Sequence, residues 1–339
     1  MTGSLVVKRP QVAAADLIGD LVPPRHFATA TFGSYLPDPA HPSQARARER
    51  LREVAAELAE RRPTTRPAWL GGKPRRAPAV YLDGGFGVGK THLLAALAHA
   101  VGPEAATYGT FVEYTHLVGA LGFAPTVHAL AQRRLVAIDE FELDDPGDTV
   151  LMSRLLRELA DAGVALAATS NTLPESLGEG RFAAEDFLRE IQALAARFEV
   201  LRIDGPDYRH RGAPHAEGGL ADDVVEAAVA GADGATCDSF DDLVSHLRTV
   251  HPSRYGALLD GVSAVGVTGV RPVEDQADAL RLVVLVDRLY DRDVPVLLGG
   301  QGTLGLFSEP MLRGGYRKKY FRALSRLGAL VDQGAPLLG

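Results

Sequence analysis

The segment AVYLDGGFGVGKTHLLAAL, residues 79–97, decides the fold of this 339-residue chain. A glycine, four further residues and Gly-Lys-Thr stand here between an apolar stretch and a helix-forming stretch, the setting of a phosphate-binding loop. Glycines permit positive φ and close approach, so successive backbone amides can surround an anion. The following helix adds unpaired amides and the positive end of its dipole. The predicted loop residues are Gly84, Gly85, Phe86, Gly87, Val88, Gly89, Lys90 and Thr91.

Two carboxylates complete the predicted nucleotide site. The apolar run 135–138 ends in Asp139 and Glu140, which places both at the carboxyl end of a predicted strand. In a parallel sheet that edge also carries the phosphate loop. We expect Lys90 to contact the β and γ phosphates of ATP, and Thr91 and Asp139 to hold Mg²⁺. We expect Glu140 to act as general base on the attacking water, so the pattern predicts ATP hydrolysis.

A further polar strand end adds catalytic candidates. The segment VALAATSN ends in Asn171, whose amide either positions the water beside the γ phosphate or starts the turn before Pro174. Hydrolysis in ring-forming enzymes often needs an arginine from the neighbouring subunit. The sequence offers three such arginines without ranking them: Arg181, Arg189 and Arg197.

Strand-like and helix-like segments alternate around the loop. Strands are predicted near residues 80–82, 110–112, 134–139, 164–169 and 200–203. Helices are predicted at 91–101, 148–161 and 183–198. Alternation of this kind predicts crossover connections and a mostly parallel sheet with helices on its faces. The predicted fold class is α/β, with a P-loop NTPase core, a parallel sheet flanked by helices, followed by a mixed α/β C-terminal region.

Two connectors divide the chain into three predicted parts. Residues 63–78 and 205–219 are rich in proline and glycine, which disfavours regular structure. We therefore predict an N-terminal helical extension and linker at 1–77, an ATPase core at 78–212 and an α/β region at 213–339. In the first part an amphipathic helix is expected at 42–62. In the last part β segments, a helix and a basic helix are expected at 262–270, 294–298, 275–290 and 313–330.

Composition restricts the function classes. The net charge of −7 disfavours a surface that binds nucleic acid throughout. Cys237 is the single cysteine, so no intramolecular disulfide can form and a reducing compartment is expected. The sequence shows neither a secretory leader nor an apolar run long enough to span a membrane. We expect a soluble, cytoplasmic protein.

The motifs resemble the ZapE-type cell-division ATPases, the bacterial branch of the AFG-like AAA+ family, over most of the chain. The resemblance rests on GGFGVGKT, LVAIDEFELDDPGDTVLMSRLL, ATSNTLPESL and RIDGPDYRHR, and on the later segments DQADALRLVVLVDRLYDRDVPVLL and YFRALSRLGAL. It implies an AAA+ core, Mg-ATP hydrolysis and assembly into a homo-oligomeric ring. It also implies a protein client, either the FtsZ division ring or proteins under quality control. By the same resemblance Arg322 or Arg326 would face the nucleotide.

The sequence departs from this family pattern in three places. His92 replaces an apolar residue after the loop threonine, FLRE at 187–190 lacks the usual proline, and Asp278 and Ala279 replace an arginine pair. These departures concern the arginine finger and the C-terminal contacts. They leave the nucleotide site unchanged.

Two other functions remain open. The segment RGGYRKKYFRALSR, residues 313–326, suits a nucleic-acid-associated ATPase such as a helicase loader, or else a helix with a buried aromatic face and a solvated basic face. A nucleotide switch without hydrolysis is the second alternative. A GTPase is disfavoured because no NKxD segment is present. A zinc site is disfavoured because His210, His215 and Cys237 lack the paired spacing of zinc ligands.

Overall fold

The computed structural model describes residues 3–10, 14–60, 77–85, 87–141, 146–170, 196–205 and 218–338. The chain divides into two compact units. The phosphate-loop unit comprises Ala14–His210, and the terminal unit comprises Met1–Ala13 with Arg211–Gly339. Residues 14–60 therefore belong with the phosphate loop, and residues 3–10 with the C-terminal part. The three-part division predicted from the sequence stays a prediction.

The phosphate-loop unit alternates strands and helices. Its elements are α1 (Ala14–Gly19), α2 (Pro42–Glu60), β1 (Ala79–Gly84), α3 (Lys90–Val101), β2 (Ala106–Thr110), α4 (Phe111–Leu121), α5 (Phe123–Leu130), β3 (Leu135–Asp139), α6 (Pro146–Asp161), β4 (Ala165–Ser170) and β5 (Glu199–Ile203), with a 3₁₀ turn at Arg25–Phe27. The five strands form one parallel sheet in the order β2-β3-β4-β1-β5. This confirms the predicted parallel sheet flanked by helices.

The order of the strands positions the site. β4 lies between β1, which leads into the phosphate loop, and β3, which ends at Asp139. Since all strands are parallel, their carboxyl ends meet at one edge. The core on which they rest is apolar: Val80, Leu93 and Leu135 are fully buried. The sheet thus brings three polar strand ends together without exposing its interior.

The structure confirms one local prediction, the amphipathic helix α2, and contradicts another, the strand at 110–112. In α2 the predicted apolar stripe is buried, including Leu51 and Leu58, which confirms the amphipathic helix. The strand predicted at 110–112 is wrong, because α4 begins at Phe111. Thr110 and Glu113 form a capping box there, which satisfies free amides of the first helical turn and ends β2 at Thr110.

The terminal unit is a smaller α/β unit, as predicted. Its elements are α7 (Asp222–Ala230), β6 (Ala235–Ser239), α8 (Phe240–Thr249), α9 (Tyr255–Leu258), β7 (Ala264–Thr268), α10 (Gln276–Asp291), β8 (Val296–Leu298), α11 (Glu309–Arg313) and α12 (Arg317–Gly334), with 3₁₀ turns at Pro252–Arg254 and Ala335–Leu338. β6, β7 and β8 form a parallel sheet, and Gly3 bridges to Thr236 of β6. The basic helix predicted at 313–330 is present as α12, which begins four residues later, at Arg317. Within the described part of the chain, no helix has the length and apolar character needed to cross a membrane.

Candidate nucleotide site

The phosphate loop connects β1 to α3 and uses glycine where a side chain would collide. Gly89 precedes the first helical residue with φ +88°, in the left-handed region that favours glycine. A Cβ at Gly89 would lie 2.5 Å from Cε2 of Tyr35, and a Cβ at Gly84 would lie 2.3 Å from the carbonyl oxygen of Ile203. Both positions therefore require glycine for steric reasons.

Lys90 starts α3 and folds back over the loop. Its ammonium donates to the carbonyl oxygens of Gly84, at 2.7 Å, and Gly85, at 2.6 Å. The side chain is only 8% exposed. Because a buried ammonium needs hydrogen-bond acceptors, the loop carbonyls hold the positive charge at the mouth of the loop.

Asp139 is held on both carboxylate oxygens by neutral donors. The Tyr108 hydroxyl donates to Oδ2 at 2.7 Å, and the Thr169 hydroxyl and the Glu140 amide donate to Oδ1. The Thr91 hydroxyl lies 3.4 Å from the same Oδ1. Asp139 is 6% exposed, so its orientation is fixed by these bonds. A carboxylate held by hydroxyls and an amide keeps its negative charge available to a cation.

Glu140 follows directly and has an unusual backbone. Its φ is +52°, a left-handed conformation that costs a non-glycine residue on the order of 1–3 kcal/mol. Its amide donates to Asp139 Oδ1 and to Thr169 Oγ1, both at 3.1 Å. These two bonds stabilise the left-handed backbone at Glu140. Thr169 contacts both residues, since its hydroxyl also donates to Asp139.

The oxygen donors suit Mg²⁺. Magnesium prefers one or two protein carboxylates together with substrate phosphates and water, rather than a cage built from protein alone. Thr91 and Asp139 supply such a partial set. The site therefore fits a metal that arrives with a nucleotide.

Several predicted site residues lie elsewhere or outside the described residues. Phe86, Asn171, Arg181 and Arg189 are outside the described ranges, as are His210 and His215 of the disfavoured zinc set. Arg197 forms an ion pair with Asp161 at 3.0 Å, where both side chains are partly exposed. Among the predicted residues, the structure brings Lys90, Thr91, Asp139 and Glu140 to one edge of the sheet. Their catalytic roles stay predictions.

The two C-terminal arginines carried over from the family are engaged within the terminal unit. Arg322 pairs with Asp287 at 2.8 Å and Arg326 pairs with the same carboxylate at 2.6 Å. The Arg326 guanidinium also lies 5.1 Å from the ring centroid of Tyr290. The predicted role of either arginine at the nucleotide stays a prediction. In the structure both stabilise the packing of α12 against α10.

The sequence did not indicate two residues that contact the site. Tyr108 lies just before the strand predicted at 110–112, and Tyr35 lies in the predicted N-terminal extension. Neither carries a local signal, because each meets the site through contacts distant in sequence: 31 residues for Tyr108 to Asp139 and 53 for Tyr35 to Val88. His92, noted as a departure, lies 3.0 Å from Ser34 Oγ and 3.1 Å from the Thr31 carbonyl oxygen. A polar residue at position 92 therefore has partners.

The fold and the loop define a P-loop NTPase with an AAA+-like core. A model of the family described as AFG1-like ATPase matches residues 23–231 and 223–334. The chain belongs to the AFG1-like ATPase family, which classes it as an ATPase and confirms the resemblance seen in the sequence.

Similar proteins agree with this family. The cell division protein ZapE of Escherichia coli K12 is 29% identical over 143 residues, which cover 39% of this chain and 38% of that protein. An uncharacterized protein of Schizosaccharomyces pombe is 29% identical over 153 residues, covering 40% of this chain and 34% of that protein. The matched segments thus span well under half of these relatives' own length.

Solved structures give only distant similarities. Domain III of the replication initiation protein DnaA from Thermotoga maritima is 19% identical with a TM-score of 0.40, covering 53% of this chain and 69% of that chain. DnaI is 18% identical with a TM-score of 0.42, covering 56% of this chain and 98% of that chain. Scores of this size support no functional conclusion.

Proposed function

We propose that this chain binds Mg-ATP at the phosphate loop and hydrolyses it as a ring-forming, cytoplasmic AAA+-type ATPase. The ATPase would use the free energy of ATP hydrolysis to act on a protein partner, either in bacterial cell division at the FtsZ ring or in protein quality control. The observation that carries the proposal is the constellation of Lys90, Thr91, Asp139 and Glu140 at one sheet edge. Thr169 ties the two carboxylate residues together.

Each residue has a separable task. The loop amides and Lys90 bind the phosphates and neutralise charge that develops on the transferred group. Thr91 and Asp139 would hold Mg²⁺, which when bound neutralises charge on the β and γ oxygens. Glu140 accepts the proton of the attacking water as the bond from the γ phosphorus to the ADP oxygen breaks. The hydroxyls of Tyr108 and Thr169 set the orientation of the Asp139 carboxylate.

Replacing Glu140 by glutamine tests hydrolysis directly. The Glu140→Gln variant removes the proton acceptor but keeps size and hydrogen-bonding capacity. We expect ATP affinity within about threefold of the parent and turnover lowered by about 10²- to 10⁴-fold, the range of general base catalysis. The measurements are phosphate release and equilibrium binding of ATP. Glu104→Gln, a change at an exposed glutamate of the same unit, is the matched control and should leave both unchanged.

The same variant separates a motor from a nucleotide switch. If Glu140→Gln complements a strain that lacks the protein as well as the parent does, hydrolysis is not needed and the switch alternative is favoured. If complementation is lost while ATP binding remains, the motor is supported. Normal turnover by Glu140→Gln would contradict the proposed base.

The protein partner requires its own experiment. Glu140→Gln with ATP should accumulate the assembled, partner-bound state, because release would need hydrolysis. We expect immobilised variant to retain purified FtsZ in ATP and to lose it in ADP. If FtsZ were retained equally in ATP and ADP, or not retained at all, the result would argue against FtsZ as the client and favour the quality-control alternative. Sedimentation of the same sample with ATP measures whether a ring forms.

The nucleic-acid alternative is weakened by the terminal unit. In the basic segment 313–326, Arg322 and Arg326 pair with Asp287, and Tyr320 is 1% exposed. Phe321 is 48% exposed. Binding to single-stranded nucleic acid needs exposed aromatic rings beside cations that can reach phosphates. The segment 313–326 is therefore less suited to nucleic-acid binding than its sequence indicates. Binding to single-stranded DNA that falls steeply with salt would restore the alternative.

A further inference from the structure

Tyr35 contacts the phosphate loop from outside all recognised motifs. Its hydroxyl donates to the carbonyl oxygen of Val88 at 3.0 Å, and the side chain is 7% exposed. Its ring lies against Gly89, so closely that a Cβ there would approach Cε2 to 2.5 Å. One side chain therefore meets two consecutive loop residues. These are the residues immediately before Lys90.

The hydroxyl contact fixes the orientation of one peptide plane. A peptide bond is planar and trans, so the Val88 carbonyl and the Gly89 amide point in opposite directions. Since the carbonyl points towards Tyr35, the Gly89 amide points away from it. In a phosphate loop the amides on that inner side bind the anion. Tyr35 thus holds the amide of Gly89 in the direction that a phosphate needs.

The Tyr35 ring is itself held in place. Thr31 and Ser34 form a turn in which the Ser34 amide donates to Thr31 Oγ1 at 3.0 Å. His92, in the first turn of α3, contacts both residues of this turn. Its ring centroid lies 5.7 Å from that of Tyr35. The segment 31–35 is therefore attached to the helix that the loop precedes.

A second attachment lies on the other side of Tyr35. The Asp38 amide donates to Gln44 Oε1 at 2.8 Å, and Gln44 Nε2 donates to the Asp204 carbonyl at 2.9 Å. Gln44 is 2% exposed, and Asp204 lies just beyond β5. The segment that carries Tyr35 is thus anchored to the sheet as well as to α3. Such a support at both ends gives the hydroxyl a fixed position rather than a mobile one.

We propose that Tyr35 is a positioning residue for the phosphate loop, which orients the Val88–Gly89 peptide so that the loop binds the phosphates of ATP. The inference rests on the proposed ATP-binding function and adds a residue from the N-terminal segment to that site. It gives the segment around residue 35 a role in nucleotide affinity. It also explains the requirement for glycine at position 89 by contact as well as by φ.

The test uses the full chain in the Glu140→Gln background, where bound ATP is not turned over. Tyr35→Phe removes only the hydroxyl, and Tyr35→Leu removes the ring as well. We expect Tyr35→Phe to raise the Kd for ATP by about two- to tenfold, the range of one neutral hydrogen bond, and Tyr35→Leu to raise it further. The Kd for ADP should rise in parallel, because the loop contacts phosphates common to both. ATP binding is measured by titration calorimetry.

Tyr114→Phe is the matched control. The Tyr114 hydroxyl is also buried, bonding Thr107 Oγ1 at 3.0 Å and the Ala137 carbonyl at 3.1 Å, but it does not contact the loop. It should lower the thermal midpoint of nucleotide-free protein at least as much as Tyr35→Phe, with ATP affinity unchanged. A merely structural role for Tyr35 would make the two variants alike in both readouts, and would overturn the inference.

Failure of the inference is distinct from failure of the proposed function. If Tyr35→Phe and Tyr35→Leu bind ATP like the parent while Lys90→Ala abolishes binding, Tyr35 does not position the loop and the ATP site stands. If Lys90→Ala leaves the affinity unchanged, the ATP site itself is wrong and this inference is overturned with it.

Discussion

Each unit of the molecule has a glycine-rich loop at the carboxyl end of a parallel strand, and side chains of opposite charge bond to the backbone at the two loops. In the phosphate-loop unit, Lys90 holds an ammonium against the loop carbonyls. In the terminal unit, residues 299–305 read GGQGTLG and follow β8. There the Asp222 carboxylate accepts from the amides of Gly269, at 2.9 Å, and Gly300, at 3.1 Å.

The amides of Gly269 and Gly300 are therefore already bonded to an anionic group of the protein itself, the Asp222 carboxylate. A Cβ at Gly299 would lie 2.0 Å from Asp222 Oδ1, so the carboxylate is packed tightly against the backbone. Amides that already bind an internal carboxylate have no capacity for a phosphate. Glycine content and sheet geometry alone do not make a nucleotide site. A positively charged side chain at such a loop suits it to binding a phosphate. A carboxylate bonded to the loop amides makes the loop part of the internal packing.

The carboxylates of the two units differ in the same way. Asp139 is held by the hydroxyls of Tyr108 and Thr169 and by an amide. Asp287, on α10, is held by the guanidiniums of Arg322 and Arg326. Neutral donors leave a carboxylate its charge for a metal, whereas two arginines neutralise it. This contrast separates the proposed metal-binding carboxylate from a structural one.

The largest expected effect comes from removing the lysine. Lys90→Ala deletes the positive charge at the loop, and we expect the Kd for ATP to rise by about 10²- to 10³-fold, from the loss of charge-assisted hydrogen bonds worth about 1.5–3 kcal/mol each. Titration calorimetry measures it. Arg154→Ala removes a cation from the surface of α6 in the same unit, where its partner is Glu158, and serves as control. If Lys90→Ala and Arg154→Ala bound ATP with equal affinity, the charge of Lys90 would not distinguish the phosphate loop from the terminal loop at 299–305.

The next effect concerns the Thr169 hydroxyl, which bonds the carboxylate of the proposed metal ligand Asp139 and the backbone amide of the proposed base Glu140. Thr169→Val keeps the shape of the side chain but removes its bonds to Asp139 and to the Glu140 amide. We expect kcat to fall by about 10- to 100-fold, with a smaller change in KM, because base and metal ligand lose orientation rather than the nucleotide losing contacts. Thr169→Ser should restore most of the rate. Steady-state kinetics at saturating magnesium decides it.

A buried threonine of the same sheet provides the control for that change. Thr107 lies on β2 and is 1% exposed, and its hydroxyl accepts from Tyr114 rather than contacting a carboxylate. Thr107→Val should lower stability without lowering kcat by more than about twofold. If both valine variants lower kcat equally, the effect of Thr169 is a general loss of packing.

How far the sequence predicts this molecule depends on the range of the interactions involved. The strand predicted at 134–139 and the helix predicted at 148–161 follow from local pattern, and the structure confirms both within a few residues, at Leu135–Asp139 and Pro146–Asp161. The strand β6 and the helices α7 and α8 were not predicted, because β6 reads ATCDS, without a run of apolar residues. Tyr35 was missed since its contact with Val88 is set by tertiary packing. Short motifs fix backbone shape locally, whereas the residues that support them come from elsewhere in the chain.

A smaller effect is expected from opening the terminal loop. Asp222→Ala leaves the amides of Gly269 and Gly300 to water, and should lower the free energy of unfolding of the terminal unit by about 1–2 kcal/mol. ATP affinity should stay as in the parent. Asp223→Ala, at the neighbouring exposed position of α7, is the control and should cost less. Hydrogen exchange of the β7 and β8 amides measures the change in this unit, and no difference between the variants would show that Asp222 does not close the loop.

The smallest effect is a pH dependence of Asp287. Burial of this carboxyl opposes its ionisation, but Arg322 and Arg326 outweigh burial and lower its pKa below the ordinary value. A lowered native pKa means that the unfolded chain binds the proton more tightly. The stabilisation is therefore complete above the unfolded pKa of about 4 and is lost as the pH falls towards the native pKa. Asp287→Asn should thus cost a constant free energy of unfolding above about pH 5, and progressively less below pH 4.

Urea unfolding of parent and variant between pH 7 and pH 3 measures that difference. Asp241→Asn is the matched control, because Asp241 pairs with Arg271 where both side chains are more than half exposed. Exposed pairs contribute about 0–1 kcal/mol, so this variant should show little dependence on pH. A cost of Asp287→Asn that stays the same down to pH 3 would mean that its charge does not stabilise the terminal unit. The contrast with Asp139 would then fail, because the arginines would not be using the charge of Asp287 to stabilise the unit.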